Sequence, residues 1–449
     1  MDTSTSRVAE LKQRVRLKGS FVGLCVGVGL LGGSIVLRGQ PGADLVSPRH
    51  PAIGYATRPT SDGVAEANRR IISGDLQLEF ERTNGYLKSV LGALHVPIES
   101  QMLVYSETSL QSEHITQTTP RALYFNDSVA VGWVKGADSL EVAAHDPQQG
   151  VVFYMLSQTS VQKPQFSRSP RCLECHESPA TLGVPGLLTM SMLPLSDDPN
   201  EYATGWPVDD RTPIGDRWGG WFVTGAAVPN RHLGNVPVYH VKKGGGRAAT
   251  APKLTSVTGA LDTTPYLTPY SDVAALMVFN HQTRMTNLIT RLNWTQRVEE
   301  YDNKSSGTPG TTTRARSGTE SDPVTTLAAE LVDSMLFVDE APLASPVQGN
   351  ARFAEKFAAA GPRDRKGRSL RDLDFETRLL KYPCSYLIYS AAFDALSTRA
   401  KTAVYDRLWQ VLSGAASGDK TYARLSAADR RAITEILRDT KADLPASFR

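Results

Sequence analysis

The chain has 449 residues, 41% of them hydrophobic and 21% charged, and its 49 basic and 46 acidic side chains nearly cancel to a formal +3. That balance is ordinary for a folded protein and offers no footing for nucleic acid or an anionic membrane surface. Four cysteines exclude a disulfide framework, and the length calls for two or three domains rather than one core.

The N-terminus reads as an address. Arg7, Lys12, Arg14, Arg16 and Lys18 precede an uncharged run from Gly19 to Leu37, closed by Arg38. At about 1.5 Å per residue, a helix of that length nearly crosses a hydrocarbon core. The run is longer than a usual signal-peptide core and no small-x-small cleavage site follows, which favours an uncleaved anchor over a cleaved signal. Residues 1–18 are then cytoplasmic and 19–38 form the transmembrane anchor or signal. The bulk of this single-pass protein of the cytoplasmic membrane is expected in the periplasm or outside the cell. Gly27-Val28-Gly29-Leu30-Leu31-Gly32 matches a dinucleotide fingerprint, but no strand–helix unit surrounds it, and a thin helix face is the better reading.

Residues 39–70, rich in Pro, Gly, Thr and Ser from Pro41 onward, read as a linker. A β-rich domain is expected over 71–165, with strands at Leu76–Phe80, Ala130–Val134 and Val151–Met155 between breakers such as Asn84-Gly85 and Gln149-Gly150.

The next region, 166–300, is loop-rich and holds Cys172-Leu173-Glu174-Cys175-His176. A structural zinc needs four ligands, usually two cysteine pairs, and Cys25 and Cys384 are isolated. Cys384 reads as a small buried hydrophobe. A thioredoxin-like dithiol should follow a strand and open a helix, whereas a polar loop with Pro170 precedes this pair and Pro179 and Gly183 follow it. Covalent c-type haem accounts for all three residues. Two thiols one helical turn apart reach the two vinyl groups on one porphyrin edge, and the next residue places an imidazole under the iron. One haem c is therefore expected on Cys172 and Cys175, with His176 as proximal iron ligand. Export agrees, because bacterial c-type attachment takes place outside the cytoplasmic membrane.

Within the same region a strand is expected at Gly220–Thr224 and a flexible crossing at Lys242–Pro252. Ala274, Val278, His281, Met285, Leu288 and Leu292 recur at helical spacing, which predicts an amphipathic helix from Asp272 to Gln296. Residues 301–324 are expected to be a flexible low-complexity loop. The remainder, 325–449, is expected to be helical. Ser397 can cap a helix stopped by Gly414, and Ser426 with Asp429 marks another start. The fold class is α+β, with a β-rich N-terminal half, a loop-rich haem segment and a helical C-terminal part.

Several of these stretches resemble a large, uncharacterised family of exported bacterial proteins that carry one cytochrome c type site. The resemblance runs through Ser100–Tyr105, Thr119–Asp127, CLECHESPATLGVPG, Arg211-Thr212-Pro213, the RWGGW stretch within Arg217–Gly225, Arg231–Asn235, His281-Gln282 and Tyr382–Tyr389. It departs at Asp210, where the family often has a histidine, so that position cannot donate an imidazole here. The resemblance implies haem and export, and no reaction.

Arg217, Trp218 and Trp221 could line a haem pocket through guanidinium and indole N–H donors, or be core residues with Arg217 paired to Asp209 or Asp210. His232, in a loop beside Gly234, and His281, on the apolar stripe of its helix, are candidate distal ligands. Met190, Met192 and an open iron face are the other options. Electron transfer with redox partner proteins is the expected function. The alternatives are a peroxidase- or oxidase-like haem enzyme, or a haem-based sensor or binding module.

Overall fold

The computed structural model describes residues 46–106, 108–192, 205–236, 251–305, 322–416 and 418–448. The expected membrane run and most of the Lys242–Pro252 crossing lie outside these residues. Among the described residues no helix is long and apolar enough to cross a membrane.

The first regular element is helix α1, Gly63–Ser73, capped by the Asp62 carboxylate, which accepts from the Val64 and Ala65 amides at 2.8 and 3.0 Å. Gly74, at φ +92°, ends it. Helix α2, Leu87–Ala93, follows. Six antiparallel strands then form a sheet in simple sequence order: β1 Met102–Val104, β2 Arg121–Phe125, β3 Val129–Trp133, β4 Ser139–Asp146, β5 Gly150–Ser157 and β6 Ser167–Arg168. Alternation along the strands divides the core between the two faces. Tyr124, Val131, Val142 and Val152 pack with Val64, Ile71, Leu87 and Val90 of α1 and α2. Phe125, Ala130, Ala143 and Phe153 face the helical part of the chain.

Helix α3, Leu173–His176, and a two-stranded ribbon of β7, Thr189–Met192, and β8, Gly205–Val208, come next. Helix α4, Val273–Ser305, then runs between the sheet and α5 (Pro323–Met335), α6 (Ala351–Ala359), α7 (Thr398–Leu412) and α8 (Ala427–Thr440). Ser397 caps α7 through the Ala400 amide at 3.2 Å. Ser426 and Asp429 form the capping box of α8. The α+β reading, with strands in the N-terminal half and helices in the C-terminal part, is what the chain adopts.

Several boundaries differ from expectation, each for a physical reason. The described part of the linker is folded, because Ile53 and Tyr55 insert into the core beneath the sheet and α1 starts at residue 63. Leu76–Phe80 is not a strand, since it pairs with no neighbouring strand and forms no ladder. The Gly220–Thr224 strand is replaced by isolated bridges, Trp221 to Val104 and Thr224 to Asp272. There the Asn235 amide bonds both the Val223 N–H (2.7 Å) and its carbonyl (2.8 Å), substituting for a strand partner. The loop over 301–324 is shorter than expected, since α4 continues to Ser305 and α5 begins at Pro323; residues 306–321 lie outside the described residues.

The largest correction concerns α4. It is not amphipathic but buried on all sides over most of its length, and nine of its buried residues between Asn280 and Gln296 are polar. Buried polar groups need partners, and several of these find theirs on distant segments, while Thr283 and Thr290 bond back to carbonyls of their own helix. Gln282 donates to the Asn126 carbonyl (2.7 Å) and accepts from the Tyr386 hydroxyl (2.8 Å), and Asn287 donates to the Leu187 carbonyl (2.8 Å). The helix thereby fixes the positions of the loops around it.

Candidate functional site

Cys172 ends a short 3-10 turn that begins at Pro170, and α3 follows directly, so the two thiols and His176 occupy consecutive turns of one helical ramp. Cys172 is half-buried against the helical core and Cys175 is exposed; neither is in a disulfide. Burial pushes the Cys172 thiol above its ordinary value. Leu173 anchors the turn by packing against the clusters on both faces of the sheet. Beneath the turn the His176 ring lies 4.7 Å from Phe153 of β5.

The fit to a haem is decided at His176. Its Nδ1 lies 2.9 Å from the Gly186 carbonyl, which can only accept, so the imidazole proton sits on Nδ1. Nε2 therefore carries the lone pair, and it has no partner among the described residues. Burial pushes the imidazole below its ordinary pKa, outweighing the Gly186 hydrogen bond, which favours the neutral form that ligates metal. A ring held through its second nitrogen by a backbone carbonyl is the arrangement that orients a histidine ligand.

That carbonyl is itself held. The Gly186 amide donates to the His176 carbonyl at 2.9 Å, closing the loop on itself. A Cβ on Gly186 would lie 2.1 Å from Asn287 Oδ1, so only glycine lets α4 approach this closely. Arg121 and Glu141, paired across β2 and β4, lie near enough for their charges to act on both Cys172 and His176. Arg121 lies over Gly132, where a Cβ would come within 2.7 Å of its Nη2. Among the described residues no group of three or more His, Cys, Asp and Glu converges as a metal site of its own.

No family model, curated protein or solved structure matches this chain. The site therefore has to be read from its own chemistry.

The other residues singled out from the sequence are not brought to this turn. Arg217 is buried and spends its Nε and Nη2 on the carbonyls of Thr212 and Asp210, both at 2.7 Å. Trp218, fully buried at φ +69°, donates to Asn280 Oδ1 at 3.0 Å, and Trp221 donates to the Met190 carbonyl at 2.8 Å. All three are buried in and around the RWGGW turn, with these donors committed to protein acceptors.

Neither distal histidine is available as it stands. His281 has both nitrogens engaged, Nδ1 with Asp210 Oδ2 and Nε2 with Ser385 Oγ, each at 2.8 Å, and its ring stacks on Phe337. Burial raises the Asp210 pKa, but the His281 and Arg217 charges outweigh that and hold the carboxyl below its usual range. His232 fails through its tautomer. Its Nδ1 accepts from the Gly234 amide at 3.1 Å, so its proton sits on Nε2, the reverse of His176. Met192 is packed against Gly205, Gly219 and Gly220. Met190, half-buried and outside the core clusters, is the remaining sequence candidate.

His232 also gives the site region a pH dependence. Burial pushes its pKa down to about 4, whereas an unfolded histidine titrates near 6.5. A depressed folded value means stability that is complete above pH 6.5 and lost as pH falls toward 4. At about 1.4 kcal/mol per pH unit the loss is roughly 3 kcal/mol. His145, also pushed down to about 4 by burial and hydrogen-bonded to Thr290 at 3.1 Å, titrates in the same window. Buried Asp272 and Glu340, pushed up to about 6 and about 7 by burial, titrate in the same range with the opposite sign, so the difference between wild type and His232→Gln is the quantity to measure. In urea unfolding at pH 7, 5.5 and 4, His232→Gln should lose less stability on acidification than the wild type, and equal losses would contradict the burial of the His232 ring.

Proposed function

We propose that this chain is an exported c-type haem protein of the family its motifs resemble, anchored in the cytoplasmic membrane, and that it transfers electrons with redox partner proteins. The observation that best supports this is the His176–Gly186 hydrogen bond, which leaves Nε2 as an oriented, neutral ligand one residue after two free thiols. When bound, haem c supplies a one-electron iron couple. Cys172 and Cys175 would tether its edge and His176 would hold its iron, while Phe153 and Leu173 exclude water from one side of the turn. Because Cys175 is exposed, the tethered edge stays within reach of a partner surface. Met190, half-buried and outside the core clusters, is the sequence candidate this reading leaves for the iron's other face.

A haem enzyme or sensor is the second reading. It is favoured by the commitments of His232 and His281, which withhold both candidate imidazoles from the iron. The haem spectrum separates the two. A low-spin haem that binds neither cyanide nor carbon monoxide, and loses that character in Met190→Ala, fits electron transfer. A high-spin haem that takes up either ligand moves the assignment to catalysis or sensing. The anchor is tested separately: the mature protein should keep its N-terminus and stay in the membrane fraction after a salt wash, whereas a start near Asp44 would establish cleavage.

A further inference from the structure

We propose that the cleft along the strap 339–345 binds an organic ammonium ion with an apolar body, and that the Glu340 carboxylate is its counter-ion. The cleft encloses about 1020 Å³ between the Arg211–Asp216 loop, the turn 229–233 and that strap, the upper end of the size of drug-sized ligand sites. Ile214, Leu233, Ala341 and Leu343 give it an apolar wall.

Glu340 is the residue that this setting leaves incomplete. It is 7% exposed, and its Oε1 accepts from the Leu379 amide at 2.8 Å. Oε2 has no hydrogen-bond or ion-pair partner among the described residues, yet it is not one of the unpartnered atoms sealed from solvent. A buried residue keeps an accessible oxygen only where it faces a cavity, and Glu340 lines two: this cleft and a smaller one of about 290 Å³. Burial pushes its carboxyl up to about 7. The Leu379 hydrogen bond and the charges of Arg217 and Arg424 pull the other way, neither arginine pairing with it, while the Asp210 charge adds to the rise. A buried carboxylate without a counter-charge is costly, and a ligand cation at Oε2 removes that cost.

Charge selects both the cavity and the ligand. The smaller cavity presents Arg378 and Arg424, which would repel an ammonium. In the larger cleft Arg211 is held by Asp209 in a two-nitrogen contact, and Arg231 is an exposed cation on the wall. Asp339 stands next to Glu340 there, exposed, its charge reaching Arg211 without an ion pair. A carboxylate ligand would meet Asp339 and force Glu340 to stay protonated, whereas an ammonium is attracted by both. No residue of 172–187 lines the cleft, so the inference stands apart from the haem assignment.

The test is a calorimetric titration of the full chain at pH 7 with 2-(2-naphthyl)ethylamine and with 2-(2-naphthyl)ethanol, its uncharged counterpart, each in phosphate and in HEPES buffer. The amine should saturate one site and bind about tenfold more tightly than the alcohol, the advantage of a charge-assisted hydrogen bond over a neutral one. Because the amine draws Glu340 into its ionised form, binding should release about half a proton, read as a heat that differs between the buffers. Glu340→Gln, which keeps an acceptor for the Leu379 amide, should abolish that release and bring the amine down to the affinity of the alcohol. Leu343→Trp, a half-buried position on the wall, should block both ligands with Glu340 intact, and Thr421→Trp, in the smaller cavity, should block neither. Absence of saturable amine binding, equal affinities for amine and alcohol, or equal heats in the two buffers would each overturn the proposal. So would unchanged amine binding in Glu340→Gln or Leu343→Trp, or its loss in Thr421→Trp.

Discussion

Trp218→Ala should cost about 4–5 kcal/mol of folding stability, the top of the range for emptying a large aromatic site. The indole is fully buried in the cluster between the sheet and α4. Its removal also leaves Asn280 Oδ1 without its donor, beside an Asn280 Nδ2 that is already unpaired. Two unsatisfied atoms on one buried amide allow little relaxation around the cavity. The strain of φ +69° is not relieved, because alanine keeps the Cβ that makes that conformation unfavourable. Trp221→Phe is the milder comparison: it keeps one aromatic ring and gives up part of the indole's volume and the hydrogen bond to the Met190 carbonyl, about 2 kcal/mol in all. Urea titrations of the two variants should fall in that order. A Trp218→Ala loss no larger than that of Trp221→Phe would mean the indole is not the core contact described.

The parts of this protein that were legible in its sequence are those whose cause is local. The cysteine pair and His176 are read from adjacent residues, and the caps at Ser397 and Ser426 need only the next turn of chain. Strands β3 and β5 announce themselves by alternation between breakers. What stayed hidden depends on distant partners. His281 recurs on an apolar stripe, yet its role is set by Asp210 and Ser385, 71 and 104 residues away. The segment Gly220–Thr224 has strand composition, but a side chain from Asn235 takes the place of a neighbouring strand. Pro and Thr content marks the stretch after residue 45 as linker, while Ile53 and Tyr55 are enough to bury it. The carbonyl that orients His176 was invisible for the same reason. One sign of it existed: polar Asn287 stands at a position on α4 where a solvent-facing residue was not needed.

His176→Ala should produce the largest change at the site itself. The proposed thioether bonds would not involve the imidazole, so covalent haem should persist. The iron of that haem would lose the ligand that the Gly186 carbonyl orients, and the visible spectrum should shift to that of a high-spin or solvent-ligated haem. His281→Gln and His232→Gln should leave the spectrum unchanged, since neither ring presents a free lone pair. Their effects belong to stability instead, most strongly for His281→Gln, which leaves the buried Asp210 carboxylate without its imidazole partner. An unchanged spectrum in His176→Ala, or its loss in His281→Gln, would reassign the proximal ligand.

Everything assigned to the site rests on covalent attachment at one turn of chain. The most direct measurement is the intact mass of the denatured protein, purified from the membranes of cells with working cytochrome c maturation. The wild-type chain should carry the added mass of one haem, and peptide mapping should place it on Cys172 and Cys175. The double variant Cys172→Ala, Cys175→Ala should have the mass of the bare polypeptide. A wild-type chain of bare mass, with both thiols open to alkylation, would contradict the assignment.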